Sequence, residues 1–345
     1  MQTANKADIQ AGKRSGLAGS DAAIRDQRRG LSRLYFRATS VLEHEGVLGY
    51  ALMAPALALI ILFIAYPFVL GVWLAFTDKL VGKEAHFIGF ENFTAIMQSQ
   101  IFQQTFFNTI FFTTMATIFK SILGMLLALL LNRKFALSRV TRATVLLPFI
   151  VPTVLSSLAW LWMFDATFSV FNWIGRFLWQ VDISVLGIPI KPNFGYFKGV
   201  NWLGDPWWAM TSIIIANVWR GVPFFAISFL AGLQTVPTEL YDAGDIDGAN
   251  GWQKFWRITL PLIKPIAVVV VVFSIVVTFA DFQLVYVLTR GGPHNSTHLL
   301  ATYAYQLSMA SGNLGQGAAV ALFMFPILAL LIVGQLWYLR RAESA

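Results

Sequence analysis

Three ionisable residues, Lys120, Arg220 and Asp281, interrupt otherwise apolar stretches of this 345-residue chain. A lone charge at the centre of a lipid bilayer costs at least about 2.5–3.5 kcal/mol, so each must face a protein interior or a water-filled cavity. For Arg220 and Asp281 two readings stand: a buried salt bridge that fixes helix packing, or a place on a solute path, where guanidinium and carboxylate hold hydroxyl groups in bidentate fashion. Lys120 is read mainly as a packing or snorkelling residue. Catalytic chemistry finds little support. The chain has no cysteine, and His44, His86, His294 and His298 all lie outside the apolar stretches. Of these only His294 and His298 are close in sequence, in a Gly/Pro loop without an acidic neighbour. Such histidines read as polar surface; neither a metal site nor a catalytic residue is assigned.

The elements that must position these residues are membrane helices. The chain is 57% hydrophobic and 12% charged, against roughly 25% charged in soluble domains. A spanning helix needs about 20 apolar residues. Residues 47–76, 106–131, 143–164, 207–233, 265–288 and 317–339 meet that measure. The fold class is therefore all-α, a polytopic membrane protein with six transmembrane helices. Tyr66-Pro67 is expected to kink or end the first of them, because proline lacks a backbone donor. Seventeen Lys and Arg fall on the N-terminal tail, the loops 132–142 and 234–264 and the C-terminus, against six on the other side. That bias places both termini in the cytoplasm. The expected organisation is a basic tail (1–46) without a cleavable signal peptide, a membrane domain (47–340) and a short C-terminus (341–345). The tail reads as a solvated arm or, around 31–42, as an interfacial helix. On the outer side, segments 86–96, 200–208 and 290–297 mix aromatics with Gly and Pro at turn-like spacing. They read as ordered caps or as a surface that receives a soluble partner.

The most polar island between spans is DAGDIDGANGWQKFWRITLP, residues 242–261. Pro237 and Glu239 suit the first turn of a helix, with Leu240, Ala243 and Gly244 on one face and Glu239, Asp242 and Asp245 turned elsewhere. Gly248 breaks this helix. Asn250 and Gln253 form a capping-box pattern for a second. On it Trp252, Phe255, Trp256 and Thr259 share a face expected to turn towards the membrane protein, and Pro261 is expected to end it. The pair either seals the bundle or presents Glu239, Asp242, Ala243, Gly244, Asp247 and Gly248 to another protein.

Asp242-Ala243-Gly244, three residues, Gly248, nine residues, then Ile258-Thr259-Leu260-Pro261 resembles the EAA loop of binding-protein-dependent ABC importer permeases. Asp242 stands for the usual Glu, and Gly244 for the second Ala. Segments 146–164, 217–225 and 285–293 are similar to the carbohydrate branch, the maltose-type permeases, and the likeness covers roughly residues 47–340. The resemblance implies a type I importer permease fold in the bacterial cytoplasmic (inner) membrane. It also implies that the loop 234–264 is a coupling helix seated on a cytoplasmic ATPase. The implied partners are a second similar permease, two ATPase subunits, an extracytoplasmic solute-binding protein, membrane lipid and a sugar, with no nucleic acid. ATP and Mg would be bound by the ATPase subunits, since the Gly-Lys pairs Gly12-Lys13 and Gly82-Lys83 lack the rest of a phosphate loop.

Family positions that contact sugar fall here on Phe149, Thr153, Asn217, Arg220, Gly221, Ser274, Thr278 and Asp281. Phe149 lacks a phenol hydroxyl, Arg220 replaces an apolar residue, and Thr278 and Asp281 replace amides, which points away from maltose itself. With Arg220, either the solute carries an anionic group or Asp281 neutralises the guanidinium and the sugar is neutral. A rival of another class is a self-contained, ion-coupled secondary transporter with Asp281 as proton carrier. A membrane protease has no Gly-x-Ser-Gly motif here to rest on.

Overall fold

The computed structural model describes residues 45–133, 137–180, 184–185, 188–189 and 199–343. The expectations for the basic tail, for Lys134, Lys191 and Lys198, and for the last two residues lie outside the described residues. The chain divides into two compact units, one ending at Leu70 and one beginning at Gly71.

The described residues of the first unit, 45–70, are helical and contain most of an apolar helix, α1 (Leu52–Ala75), on which side chains such as Leu62, Phe63 and Ile64 are exposed. Pro67 does not end it. The N–H of Tyr66 bonds the carbonyl of Ile61, and residues Ile61–Ala65 form a π turn. That wider turn absorbs the donor and the space that proline removes, so the helix continues.

In the second unit the helices are α2 (Glu91–Gln98), α3 (Gln100–Leu131), α4 (Ser138–Ile150), α5 (Thr153–Met163), α6 (Val170–Gln180), α7 (Pro206–Leu233), α8 (Thr238–Ile246), α9 (Gly251–Phe279), α10 (Gln283–Leu288), α11 (Leu300–Tyr305) and α12 (Leu314–Arg341). The β structure among the described residues is a short antiparallel pair, β1 (Ser184–Val185) with β2 (Ile188–Pro189), and the isolated bridges Thr77–Phe87 and Leu80–Asn313. By length and composition α1, α3, α7, α9 and α12 can each cross a membrane, and α4 with α5 makes a sixth span if that bent pair counts as one.

Two spans differ from expectation. The third is broken, with α4 and α5 meeting at 87°. Val151 is extended (ψ 131°) ahead of Pro152, as the ring of a following proline demands. The fifth does not run over 265–288. It begins in the polar island and runs unbroken from Gly251 to Phe279, so Pro261 ends nothing. A second π turn, Phe255–Thr259, precedes that proline, with the Leu260 N–H on the Phe255 carbonyl. The span stops where Asp281 takes over: its carboxylate accepts the Leu284 N–H at 3.3 Å and starts α10.

Start signals explain other ends. Ser99 caps α3, which begins at Gln100, six residues before the expected start, and Asp205 accepts the Trp207 and Trp208 N–H groups at 3.0 and 3.2 Å ahead of Pro206 at the start of α7. The buried face of α3 carries Thr105, Thr109, Thr113, Thr117, Lys120, Gly124 and Ala128. Small residues let membrane helices approach closely, and Gly124 is one such point of approach. A Cβ there would lie 2.4 Å from the Cβ of Phe225 on α7.

The outer segments are hydrogen-bonded structures. Asn92 donates to the carbonyls of Ala75 and Thr77 at 2.9 and 2.8 Å. Asn172 holds both backbone groups of Val200 and accepts from the Trp202 indole. Asp78 accepts the His86 N–H at 2.6 Å, which holds its carboxyl below the usual carboxylate range. His298 is not polar surface: it is buried, its Nδ1 is 3.2 Å from the Thr302 hydroxyl, and burial pulls its pKa down.

The α3–α7 contact yields a test. Gly124→Val should lower the stability of the detergent-solubilised protein by about 1–3 kcal/mol, the ordinary cost of overpacking, read as a fall in the thermal unfolding midpoint. Gly334→Ala, where nothing lies within 4 Å of the added carbon, should leave that midpoint in place.

Candidate functional site

Five elements converge on one cavity of about 280 Å³. From α3 comes Lys120; from α4 and the start of α5, Phe149 and Thr153; from α7, Asn217, Arg220 and Gly221; from α9, Ser274 and Thr278. The break at Val151-Pro152 lets Phe149 and Thr153, on separate helices, border the same space. Asp281 stands behind this wall as the group that organises it.

Arg220 and Asp281 form an ion pair, with Nη2 donating to Oδ2 at 3.1 Å and side-chain exposures of 19% and 5%. The same guanidinium donates through Nη1 to the Thr153 hydroxyl at 2.5 Å. Asp281 Oδ2 also accepts from Asn217 Nδ2 at 2.9 Å. With Leu284 on Oδ1, the carboxylate is satisfied on both oxygens, as a buried charge requires. The two sequence readings therefore combine: the salt bridge exists, and its arginine borders the cavity.

Pairing with the carboxylate orients the Asn217 amide, because only Nδ2 can donate to it. Its Oδ1 is buried with no partner among the described residues. A buried acceptor left open costs free energy unless something donates to it, and the hydroxyl of a solute could. Phe149 stacks on Phe224 with centroids 5.6 Å apart, and Phe224 meets Phe273 at 5.4 Å. These rings give the cavity apolar faces beside its polar ones.

Lys120 is the site residue that sequence reasoning placed elsewhere. It is 3% exposed and donates from Nζ to the Thr278 hydroxyl at 2.7 Å. Gly221 makes this possible: a Cβ at 221 would lie 2.3 Å from Cδ of Lys120. The signal was the register of α3, since Lys120 continues the face marked by Thr109, Thr113 and Thr117 and leads on to Gly124.

The polar island forms a second constellation. Gly248 breaks the chain at φ +72°, a conformation that favours glycine. The capping box of Asn250 and Gln253 is present, at 2.9 and 2.8 Å. Glu239, Asp242, Ala243, Asp247 and Gly248 are exposed. Gly244 is not on that free face; it is buried, and a Cβ there would lie 3.2 Å from Cδ1 of Ile258. Nor do the tryptophans turn inward, for Trp252 is 70% and Trp256 50% exposed, beside a groove shared with Leu129, Asn132 and Arg133. Because α9 continues through Pro261, its register brings Lys254 and Ile258 against α8 and carries Trp252 and Trp256 outward. Tyr241 completes the contact through the Thr259 hydroxyl at 3.0 Å.

The family described as "Binding-protein-dependent transport system inner membrane component" matches residues 120–344. The chain is 35% identical over 292 residues, 83% of its length and 92% of the relative's, to the trehalose/maltose transport system permease protein MalF of Thermococcus litoralis. It is also 35% identical over 285 residues, 82% of its length and 87% of the relative's, to the sulfoquinovosyl glycerol transport system permease protein SmoG of Agrobacterium fabrum. Among solved structures, a bacterial ABC transporter involved in the import of the acidic polysaccharide alginate contains a chain of the same fold. Its TM-score is 0.71 at 22% identity, over 88% of this chain and 99% of that one.

The ion pair yields a stability test. Arg220→Leu leaves the Asp281 carboxylate buried without its cation and should destabilise the protein by about 3 kcal/mol, whereas Arg220→Leu with Asp281→Leu should recover part of that loss. Thermal unfolding of the purified variants reads both.

Proposed function

This chain belongs to the binding-protein-dependent transport system inner membrane components, and from that premise we propose that the cavity among α3, α4, α5, α7 and α9 is where a sugar or sugar derivative crosses. The chain is a multi-pass permease subunit of an ABC importer in the bacterial inner membrane, and ATP hydrolysis falls to a separate subunit. Family membership sets aside the self-contained ion-coupled transporter. Asp281, its proposed proton carrier, is bonded on both oxygens.

The observation that carries the sugar reading is the convergence of Phe149, Thr153, Asn217, Arg220, Gly221, Ser274 and Thr278 on one cavity. Arg220 donates to a sugar hydroxyl, and Thr153 and Ser274 supply hydroxyls of their own. The faces of Phe149 and Phe224 meet the apolar C–H face of the ring. Relatives named for trehalose/maltose and for sulfoquinovosyl glycerol support the same substrate class.

The exposed strip of Glu239, Asp242, Ala243, Asp247 and Gly248 is the seat for a cytoplasmic ATPase subunit, with Gly244 shaping α8 from behind. A push there has a direct route to the solute. Helix α8 is tied to α9 through Tyr241–Thr259 and Gly244–Ile258, and α9 runs on to Ser274 and Thr278 at the cavity wall. At 1.5 Å per residue this single helix reaches about 40 Å, and rigid-body movement of such an element is a common switching device. In the assembly both termini are cytoplasmic, a second permease completes the pathway, two ATPase subunits power it, and a soluble binding protein delivers solute at the ordered outer segments.

The test is reconstitution of the complex with its binding protein and measurement of sugar-stimulated ATP hydrolysis and uptake. Gly248→Leu should cut uptake by about tenfold, within ordinary coupling energies, while the chain still inserts in the membrane. Unchanged uptake would count against α8 as the docking element.

A further inference from the structure

The charges around the cavity do not balance. Two cations, Lys120 and Arg220, border it, against the single carboxylate of Asp281, which is already shared by Arg220, Asn217 and the Leu284 backbone. Lys120 is nine-tenths or more buried, and its hydrogen-bond partner among the described residues is the neutral hydroxyl of Thr278. A hydroxyl occupies one of the three ammonium protons. Asp281 attracts Lys120 from a distance while Arg220 repels it, and no carboxylate lies within ion-pair reach of Lys120 among the described residues, an arrangement that is costly at membrane depth.

Two features argue against Lys120 as packing alone. A lysine that only fills space in a membrane helix extends its stem towards the interface and lifts its head into water. Here the stem is drawn across α7 through the gap at Gly221, and the head is held inside by Thr278 from α9. Residues of three helices thus cooperate to place an ammonium on the same cavity that Arg220 borders. With Lys120 and Arg220 both on the cavity, the site has an excess positive charge.

We infer that the solute carries an anionic group, a carboxylate, sulfonate or phosphate on a sugar, held between Lys120 of α3 and Arg220 of α7. The planar guanidinium and the compact ammonium supply complementary donors for an oxyanion. The hydroxyl and aromatic groups described above take the sugar ring, so the inference rests on the sugar-permease reading and narrows it. Asp281 then sets strength: by sharing the arginine it keeps the site from holding the anion too tightly to release it.

The experiment is ATP-dependent uptake by proteoliposomes containing the whole complex and its binding protein. The probes are a methyl glucuronide, a 6-sulfonated methyl glucoside and uncharged methyl glucoside. Wild type should move at least one charged probe faster than the uncharged one. Lys120→Met, checked for assembly by co-purification of its partners, should lower the charged-to-uncharged uptake ratio by about tenfold, the loss expected for one charge-assisted hydrogen bond. Because every arm uses the same binding protein, a change in ratio reports the cavity. Equal loss for both classes in Lys120→Met overturns the inference. Uptake of the uncharged probe at or above the charged ones in wild type also overturns it, without need of the variant, and leaves the sugar-permease reading standing. Uptake of none of the three by an assembled, ATP-hydrolysing complex overturns both.

Discussion

A carboxylate held away from water and lipid has to be answered on both oxygens, and the way Asp281 is answered organises the centre of this permease. Oδ2 takes Arg220 and Asn217 from α7, while Oδ1 takes the Leu284 N–H and so starts α10 where the fifth span ends. One side chain thereby holds the first turn of α10, orients an amide and aims a guanidinium at Thr153 on the far side of the break between α4 and α5. The polar wall of the cavity is the outer surface of that network. Desolvation is the reason it is rigid, since each of these groups would be expensive to leave unpaired.

The same economy of means shows in α9. One continuous helix begins in the polar island beside α8 and ends at the cavity, and it survives Pro261 because a π turn opens just before it. A break at that proline would have separated the two ends mechanically. In α1 another π turn precedes Pro67, so the solution recurs within the chain. Helices joined this way transmit displacement while keeping a local point of adjustment.

Much of this was legible in the residues. Six apolar stretches were visible from length and hydropathy, the helix break at Gly248 from its type, and the capping box at Asn250 from its spacing. The ends of helices were less legible. Proline was read as a stop at 67 and 261 although a widened turn carries both helices through, while Pro152, inside a stretch read as one span, proved to be a sharp bend. Whether a proline ends, bends or merely loosens a helix depends on which carbonyls its neighbours can still reach, and this is a three-dimensional property. The outward turn of Trp252 and Trp256, and the burial of His298, follow from how continuous helices set their register and from contacts with distant segments such as Asn108.

The sequence by itself determined that the chain lives in a membrane, that its loop 234–264 carries an importer-type docking pattern, and that Arg220 and Asp281 must find shelter. The first and last of those conclusions rest on composition and the cost of charge in lipid, and the second on a family resemblance; none of them needs coordinates. Only the tertiary structure decided that Arg220 and Asp281 shelter each other while the arginine still faces the cavity, and that Lys120 joins them. Its place depends on a missing Cβ at Gly221 and a hydroxyl at Thr278, each more than 90 residues away in sequence and brought to it by the packing of α7 and α9 on α3.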